Sequence, residues 1–176
     1  NSLRYGMRTN GKSGFVFVNH YQRLTELADI ENAVISAGNV EFPPIDVKGE
    51  VSFFMPFNMK MGDSVLEYAT AQPLCKCDDT YFFAEIPNIK AEYKFSKGSA
   101  NIVTVPFENA KYMRKLNGTV YIGGGCNLYE ENGQIHSVED GEYICQKWNG
   151  SEFETLKIGQ SAKQSNVEIT GVENAP

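Results

Sequence analysis

The chain has 176 residues, and 41% of them are hydrophobic, which is enough to bury the core of one domain or of two small ones. Its 22 acidic and 16 basic residues give a net charge of −6, and no lysine or arginine stripe is present, which excludes nucleic acid as a main partner. The sequence has no signal-peptide pattern and no apolar run near the ~20 residues of a membrane helix, so we expect a soluble, cytoplasmic protein without membrane contact.

The first predicted strand lies in the stretch SGFVFVNHYQRL, residues 13–24. Its Phe and Val residues suit a strand that is at least half buried, and a cluster of large polar side chains follows them. Similar runs predict further strands along the chain. The ten predicted strands are 14–19, 33–36, 51–57, 66–70, 81–85, 91–95, 101–105, 119–122, 142–148 and 152–156.

Turn signals separate many of these runs, and several lie one strand length apart. Asn-Gly and Asp-Gly pairs are preferred in the tight turns of antiparallel hairpins. The pairs are Asn10-Gly11, Asn117-Gly118, Asn132-Gly133, Asp140-Gly141 and Asn149-Gly150. We therefore predict an all-β fold, either an antiparallel β-sandwich or paired β-subdomains, with one short helix. The expected units are residues 1–96 and 97–158, followed by a polar, linker-like tail at 159–176.

Residues 107–116 read as the single helix. Pro106 precedes it, Glu108 favours its positive N-terminal end, and Arg114 and Lys115 favour its negative C-terminal end. Apolar residues recur every three positions and form one stripe, and Asn-Gly then stops the helix.

Acidic pairs are candidate catalytic groups, because glycoside hydrolysis needs two carboxylates ~5 to 9.5 Å apart. All three pairs lie beside turns, where acids are commonly just solvated: Asp78-Asp79, Glu130-Glu131 and Glu139-Asp140. The two histidines offer little more. His20 reads as a hydrogen-bonded packing residue at a strand end and His136 as an exposed residue after a turn. The prediction contains no catalytic residue.

The four cysteines do not have the spacing of a zinc finger or ribbon. Cys75 and Cys77 are two apart, and their partners Cys126 and Cys145 are far along the chain, so we predict small buried thiols in a reducing compartment. The triplet at 123–125 reads as a bend or bulge, since no Lys-Ser or Lys-Thr follows it. We predict neither a metal nor a cofactor. The glycosylation sequons at 117–119 and 149–151 leave secretion open, although both fit tight turns better.

Three aromatic residues are candidates for carbohydrate binding: Tyr129, Tyr143 and Trp148. Such side chains combine an apolar face with a polar edge and can stack on a sugar ring. Packing in a core or an interface is the competing interpretation.

Longer strings carry a resemblance to a known family. They are GFVFVNHYQRLTEL, FPPIDVKGEVSFFMPFNM, LEYATAQPL, TYFFAEIPNI and FENAKYMRKLNGTVYIGGGCNLYEENGQI. Together they resemble the β-rich region that follows the catalytic (β/α)₈ barrel in bacterial β-galactosidases of glycoside hydrolase family 35. The resemblance covers roughly residues 4–134, and VNHYQR and EYATAQPL are its most specific parts. The sequence departs from the family pattern at His20, where a second Asn is expected, and at 123–126, where an acidic residue is usual.

The resemblance implies a longer polypeptide, with a barrel upstream that carries both catalytic glutamates and further β-domains downstream. This chain would then be an accessory structural domain that supports hydrolysis of terminal β-galactosides. Asn19, Tyr21 and Arg23 would hold a loop against the barrel, or would line the rim of the galactose pocket. Two alternatives stay open, a carbohydrate-binding module and an oligomerisation or interaction domain.

Overall fold

The computed structural model describes residues 3–139 and 141–159. The predicted tail beyond Gly159, and Asp140 of the Asp140-Gly141 turn, lie outside the described residues. The described part of the chain is all-β with one short helix, which confirms the predicted fold class.

The elements are named here in chain order. The first eleven strands are β1 (Tyr5–Thr9), β2 (Gly14–His20), β3 (Ile30–Ala33), β4 (Ser36–Ala37), β5 (Val40–Glu41), β6 (Ile45–Val47), β7 (Val51–Met61), β8 (Ser64–Ala69), β9 (Gln72–Cys77), β10 (Thr80–Ala84) and β11 (Tyr93–Lys97). The remaining elements are β12 (Asn101–Val105), α1 (Phe107–Ala110), β13 (Met113–Leu116), β14 (Thr119–Gly123), β15 (Leu128–Glu131), β16 (Gln134–Ser137), β17 (Tyr143–Trp148) and β18 (Phe153–Ile158).

The strands form three larger sheets and three two-stranded hairpins or ladders. The five-stranded sheet has the order β1-β2-β7-β8-β11, the three-stranded sheet β12-β10-β9, and the four-stranded sheet β13-β14-β17-β18. The smaller pairs are β3-β6, β4-β5 and β15-β16. Antiparallel pairing dominates, as expected, but β10 and β12 pair in parallel. The hairpin pattern did not predict that pair, because β11 lies between the two strands in sequence and joins a different sheet.

The turn signals have the geometry that their residues favour. Asn117 and Gly118 have φ angles of 48° and 80°, and Asn132 and Gly133 have φ angles of 52° and 79°. Two consecutive residues with positive φ define the hairpin turns whose twist matches that of antiparallel strands. These turns connect β13 to β14 and β15 to β16.

The helix is much shorter than predicted. It ends at Ala110, and β13 begins at Met113, so the expected helix over 107–116 is wrong in its second half. The reason is cross-strand pairing: residues of β13 face β14 in a continuous antiparallel register, and Gly123 N–H donates to Tyr112 O. Arg114 therefore lies in a strand, where it does not cap a helix.

Four apolar clusters lie between the layers. The inner face of the five-stranded sheet packs against residues of β4, β5 and β6. The three-stranded sheet lies between two other clusters: Phe83 belongs to one that includes Leu66 of β8, and Phe82 belongs to one that includes Trp148 of β17. Successive residues of a strand point to opposite faces, so Phe82 and Phe83 pack into separate cores on the two faces of the three-stranded sheet.

The predicted division into residues 1–96 and 97–158 stays a prediction. β12 lies beyond the boundary and pairs with β10, which lies before it. Side-chain contacts also cross the boundary, since Val120 and Trp148 share a cluster with Phe82. The fourth cluster lies on the other face of the four-stranded sheet and includes Cys145 and Leu128.

Candidate functional site

Strand β2 presents two different faces. Val16, Val18 and His20 are buried on its inner side, as the alternation of a strand requires. The intervening positions point outward, and Phe17 remains 42% exposed there. The outward side of a strand with a filled inner face would ordinarily carry polar residues. Here it begins with two phenylalanines.

An aromatic group covers this outward side, which we call the outer aromatic cluster: Phe15, Phe17 and Phe54. Phe17 and Phe54 are directly opposite each other on β2 and β7, with ring centroids 5.8 Å apart. Phe15 lies 5.8 Å from Phe54 and 6.4 Å from Phe17. Their mutual distances fall in the range of favourable aromatic pairs. The cluster is an apolar surface on the outside of a sheet whose inside is already packed.

Two of the predicted site residues lie at the end of β2 and directly after it. Asn19 is exposed at the end of β2, where its Oδ1 accepts a hydrogen bond from Ser52 Oγ at 3.1 Å. Its backbone N–H donates to Arg4 O at 3.1 Å. Tyr21 follows the strand and is 48% exposed. Asn19 thus fixes neighbouring strands, while Tyr21 is an exposed aromatic residue just beyond the end of β2.

Arg23, the third predicted residue, lies at the tip of a tight turn. Thr25 N–H donates to Gln22 O at 3.2 Å, which makes Arg23 and Leu24 the central residues of that turn. Within the described residues the Arg23 side chain has no hydrogen bond or ion pair, so the predicted bonds from Arg23 to the loop are not seen there.

The loop is held by different residues. Arg4 Nη2 donates to Gln22 Oε1 at 2.9 Å, and this bond ties the turn back to the start of β1. Leu24 has a φ of 61°, where glycine or asparagine is preferred, and its side chain is 95% exposed. A branched apolar residue in that conformation is uncommon. Sequence reasoning missed Arg4 and Leu24, because neither burial nor backbone angle can be read from their residue types.

The two histidines are both buried. His20 is 4% exposed at the end of β2, which agrees with packing, but it does not match the predicted hydrogen bonding, since its buried Nε2 has no partner among the described residues. The prediction that His136 is exposed is wrong, since it is 7% exposed. Tyr129 lies opposite it in the β15–β16 hairpin, and the two rings stack at 5.4 Å. That stacking covers the imidazole.

The three candidate carbohydrate-binding aromatics do not share one surface. Trp148 is 7% exposed and packs edge-on against Phe82 and Phe153, at centroid distances of 5.1 and 5.2 Å. Its burial argues against a place in an exposed platform and agrees with packing. Tyr143 and Trp148 are five positions apart in β17, so their side chains point to opposite faces of the sheet and belong to different clusters.

Tyr143 has a structural hydrogen bond of its own. Its hydroxyl oxygen accepts from Cys126 N–H at 2.9 Å, which fixes the bend after the triple glycine. Burial, with the hydrogen-bonded Cys126 thiol as a second cause, raises the pKa of Tyr143 to about 12. The bend itself was predicted. At Gly123 an added Cβ would lie 2.0 Å from Cys126 O, so this close approach of two backbone segments needs glycine.

Asp78, Asp79 and Glu130 lie at or beside turns, as predicted, and three of the four cysteines are buried as predicted, whereas Cys75 is half-buried. Asp78 and Asp79 are exposed in the turn between β9 and β10, and Glu130 Oε1 accepts from Gly133 N–H at 2.6 Å across its own turn. Across residues 3–139 and 141–159, no group of three or more His, Cys, Asp or Glu side chains is placed to hold a metal ion. All four cysteines are free thiols, three of them buried: Cys77, Cys126 and Cys145.

Arg114, which was predicted at a helix end, is an arginine that bridges several acceptors. Arg114 donates through Nη1 to Met113 O at 2.7 Å and to Lys111 O at 3.1 Å, and through Nη2 to Asn127 Oδ1. Its guanidinium fork thereby joins the segment after α1 to the segment before β15. The role predicted for Arg23 against a barrel stays a prediction.

Comparisons with protein-family models, with curated proteins and with solved structures each found no match. In the part of the chain that the structure describes, no helix has the length and apolar character needed to cross a bilayer.

Proposed function

We propose that this chain is an accessory structural domain of a glycoside hydrolase family 35 β-galactosidase, and that its outer aromatic cluster packs against the catalytic barrel of the same polypeptide. The observation that carries the proposal is the exposed aromatic surface on the outside of a sheet with a filled inner core. The sequence resemblance supplies the identity of the partner. It implies a barrel upstream of the segment that contains VNHYQR.

The outer aromatic cluster suits an interface between domains. Aromatic side chains contribute much of the energy of such interfaces, because they bury large areas at little conformational cost. Phe17 gains the most from a partner, since 42% of it is exposed. Interfaces between domains of one chain typically bury about 600–1,500 Å². Tyr21 and Leu24, at 48% and 95% exposure, can extend the apolar area beyond the three phenylalanines.

Polar groups beside the cluster can define how a partner docks. Arg8 lies opposite Phe15 on β1 and is exposed, and Arg23 is exposed at the turn tip. A guanidinium binds a carboxylate or several backbone carbonyls with fixed geometry. In the proposed assembly Arg23 meets such acceptors on the barrel, which accounts for its lack of partners among the described residues.

Hydrolysis is assigned to the missing barrel in this proposal. Asp78 and Asp79 are exposed at a turn, and the carboxylate of Glu130 accepts a hydrogen bond from its own turn. A retaining or inverting glycosidase needs two carboxylates facing one sugar, ~5 to 9.5 Å apart. The catalytic glutamates therefore have no assignment within this chain.

The test compares this chain with the longer polypeptide that the proposal requires. The chain alone should not hydrolyse a chromogenic β-galactoside, and the longer polypeptide should. In the longer polypeptide, Phe17→Ser and Phe54→Ser should lower the midpoint of thermal inactivation. Ile144→Ser is the matched control, because Ile144 is 56% exposed on β17, in another sheet.

Three results would contradict the proposal. They are turnover by the purified chain alone, the absence of an encoded barrel upstream of residue 1, and equal effects of the cluster variants and the control. Self-association of the chain that Phe17→Ser abolishes would instead favour the oligomerisation alternative, which sedimentation of the chain measures directly.

Arg23→Ala distinguishes the two roles predicted for Arg23, docking against the barrel and lining the rim of the sugar pocket. In the longer polypeptide, a raised KM with unchanged stability would place Arg23 at the rim of the sugar pocket. Lost stability with unchanged kinetics would make it a docking residue. The same substitution in the isolated chain should leave stability unchanged, since the side chain makes no bond within the described residues.

A further inference from the structure

A second surface feature lies far from β2 in the sequence. A groove of about 550 Å³ runs between the segment after β10 and the start of α1. Ligand-binding clefts commonly have volumes of about 300–1,000 Å³. Its polar and aromatic lining includes Glu85, Asn88, Lys90, Thr104 and Phe107.

The groove has a rigid frame. Glu85 N–H donates to Val105 O at 2.9 Å, which fixes the position of Glu85 beside the end of β12. Ile86 and Ile89 pair as a β-bridge and are buried, at 1% and 8% exposure. The turn between them is thereby anchored in the core at both ends, and Asn88 projects from it with a φ of 63°. A frame of this kind positions its polar groups before any ligand binds.

The groove is lined by one aromatic ring and by several side chains that can form hydrogen bonds. Phe107 is 41% exposed on a helix of four residues with no buried member. The Glu85 carboxylate is exposed and, in the described parts of the chain, takes part in no hydrogen bond or ion pair. Thr104 Oγ1 and the Tyr93 hydroxyl share a hydrogen bond of 2.8 Å at the same place.

Charge restricts the class of ligand. Lys90 and Glu92 form an exposed ion pair at 3.1 Å, so together with Glu85 the charged groups in and beside the groove sum to one negative charge. Glu85 stays uncompensated, and its field reaches the Tyr93 hydroxyl: burial raises the pKa of Tyr93, and Glu85 adds to that rise. An anion such as phosphate would meet net repulsion here. A ligand that donates hydroxyl hydrogen bonds would satisfy the carboxylate.

We propose that this groove binds a neutral saccharide, with the apolar face of a sugar ring against Phe107 and sugar hydroxyls donating to Glu85. The amide of Asn88 can donate to and accept from further hydroxyls. Aromatic faces combined with carboxylate and amide groups match the two-sided chemistry of a sugar ring, which has apolar C–H faces and a polar edge. This site does not include Tyr129, Tyr143 or Trp148; its saccharide chemistry is argued from the groove alone, and only the choice of galactosides as probes rests on the proposed function.

The experiment titrates isotopically labelled chain with methyl β-galactoside and with lactose, and follows backbone amide shifts by NMR. Saturable shifts should map to residues 85–91 and to Phe107. Phe107→Ala and Glu85→Gln should each weaken binding by about tenfold, equivalent to about 1.4 kcal/mol. Ile144→Ala and Glu26→Gln are matched controls on exposed positions elsewhere, and they should leave the affinity unchanged.

Several outcomes would overturn the proposal. The first is that no saturable amide shifts appear even at sugar concentrations well above millimolar. The second is that the shifts map to residues outside the groove. The third is that Phe107→Ala and Glu85→Gln both leave the affinity unchanged. Agmatine serves as a cationic competitor: if it perturbs residues 85–91 and the sugars do not, the groove binds cations instead. Failure here leaves the accessory-domain proposal intact, because sugar binding is measured on this chain and hydrolysis on the longer polypeptide.

Discussion

The contrast between Phe17 and Phe82 gives the sharpest test of the surface. Both are phenylalanines within strands, and both have aromatic neighbours about 5–6 Å away. Phe82 is 0% exposed and contacts Trp148 and Phe153, so Phe82→Ala removes a fully buried ring and leaves a cavity. Such substitutions cost about 3–5 kcal/mol.

Phe17→Ala should cost much less. Full burial of a phenylalanine stabilises by about 1.5–3 kcal/mol, and roughly three-fifths of that applies to a residue that is 42% exposed. The expected loss is about 1–2 kcal/mol, because solvent fills the space and no cavity remains. Since domains are stable by about 5–15 kcal/mol, the difference between the two variants is readily measured.

Urea unfolding of the two variants, followed by far-ultraviolet circular dichroism, measures both losses. Fluorescence of the single tryptophan, Trp148, is a second probe for Phe17→Ala, since that residue lies in another cluster. Ile144→Ala serves as an exposed aliphatic control. Equal losses for Phe17→Ala and Phe82→Ala would show that the outer aromatic cluster is a core, and the proposed docking surface would then be refuted.

Three further predictions concern the region around the triple glycine and the thiols. Tyr143→Phe should lower the free energy of unfolding by about 0.5–1.5 kcal/mol, because the Cys126 N–H loses its acceptor. In the native chain the phenol pKa is raised from about 10 to about 12, so its stabilisation is complete below pH 10 and is lost as pH rises towards 12. A pH titration of stability should show that loss, and Tyr143→Phe should lack it. Gly123→Ala should destabilise far more than Gly124→Ala, because a Cβ at Gly123 would lie 2.0 Å from a carbonyl oxygen and a Cβ at Gly124 would lie 3.2 Å from one. Equal thermal midpoints of the two variants would contradict this. Iodoacetamide followed by mass spectrometry should modify Cys75 slowly, because burial raises its pKa, and should modify all four cysteines after unfolding. Rapid labelling of a buried thiol in the native chain would disagree with the packing described.

The sequence predicted the strands best where residue type and turn chemistry agree. β12 has the predicted bounds, because its residues Ile102 to Val105 are all β-branched and Pro106 directly follows the run. Strands β3 to β6 are short and contain few consecutive β-formers, so most of them were missed. β13 was predicted as helix because Arg114 and Lys115 suit a helix end. Its strand conformation comes from pairing with β14, a contact that local propensity does not contain.

The roles predicted for Asn19, Tyr21 and Arg23 at a barrel stay predictions, and the structure shows only their local contacts. The cluster after β2 does fix the end of the strand, but Arg4 and Gln22 make the bond that holds the loop. Asn19 bonds to a neighbouring strand as expected of a polar strand-end residue. Which side of β2 stays uncovered depends on what packs against the sheet, and a single sequence does not give that information. The groove beside Phe107 was missed for the same reason.

The parallel pairing of β10 with β12 has a consequence for how the chain can be dissected. The neighbouring residues Phe82 and Phe83 of β10 point their rings into two different cores. A displacement of β10 therefore loosens both cores at once. A protein cut after residue 97 would leave β10 without its parallel neighbour and expose one side of each core. Calorimetry should therefore register one cooperative melting event for the intact chain, and the halves made separately should be prone to aggregation.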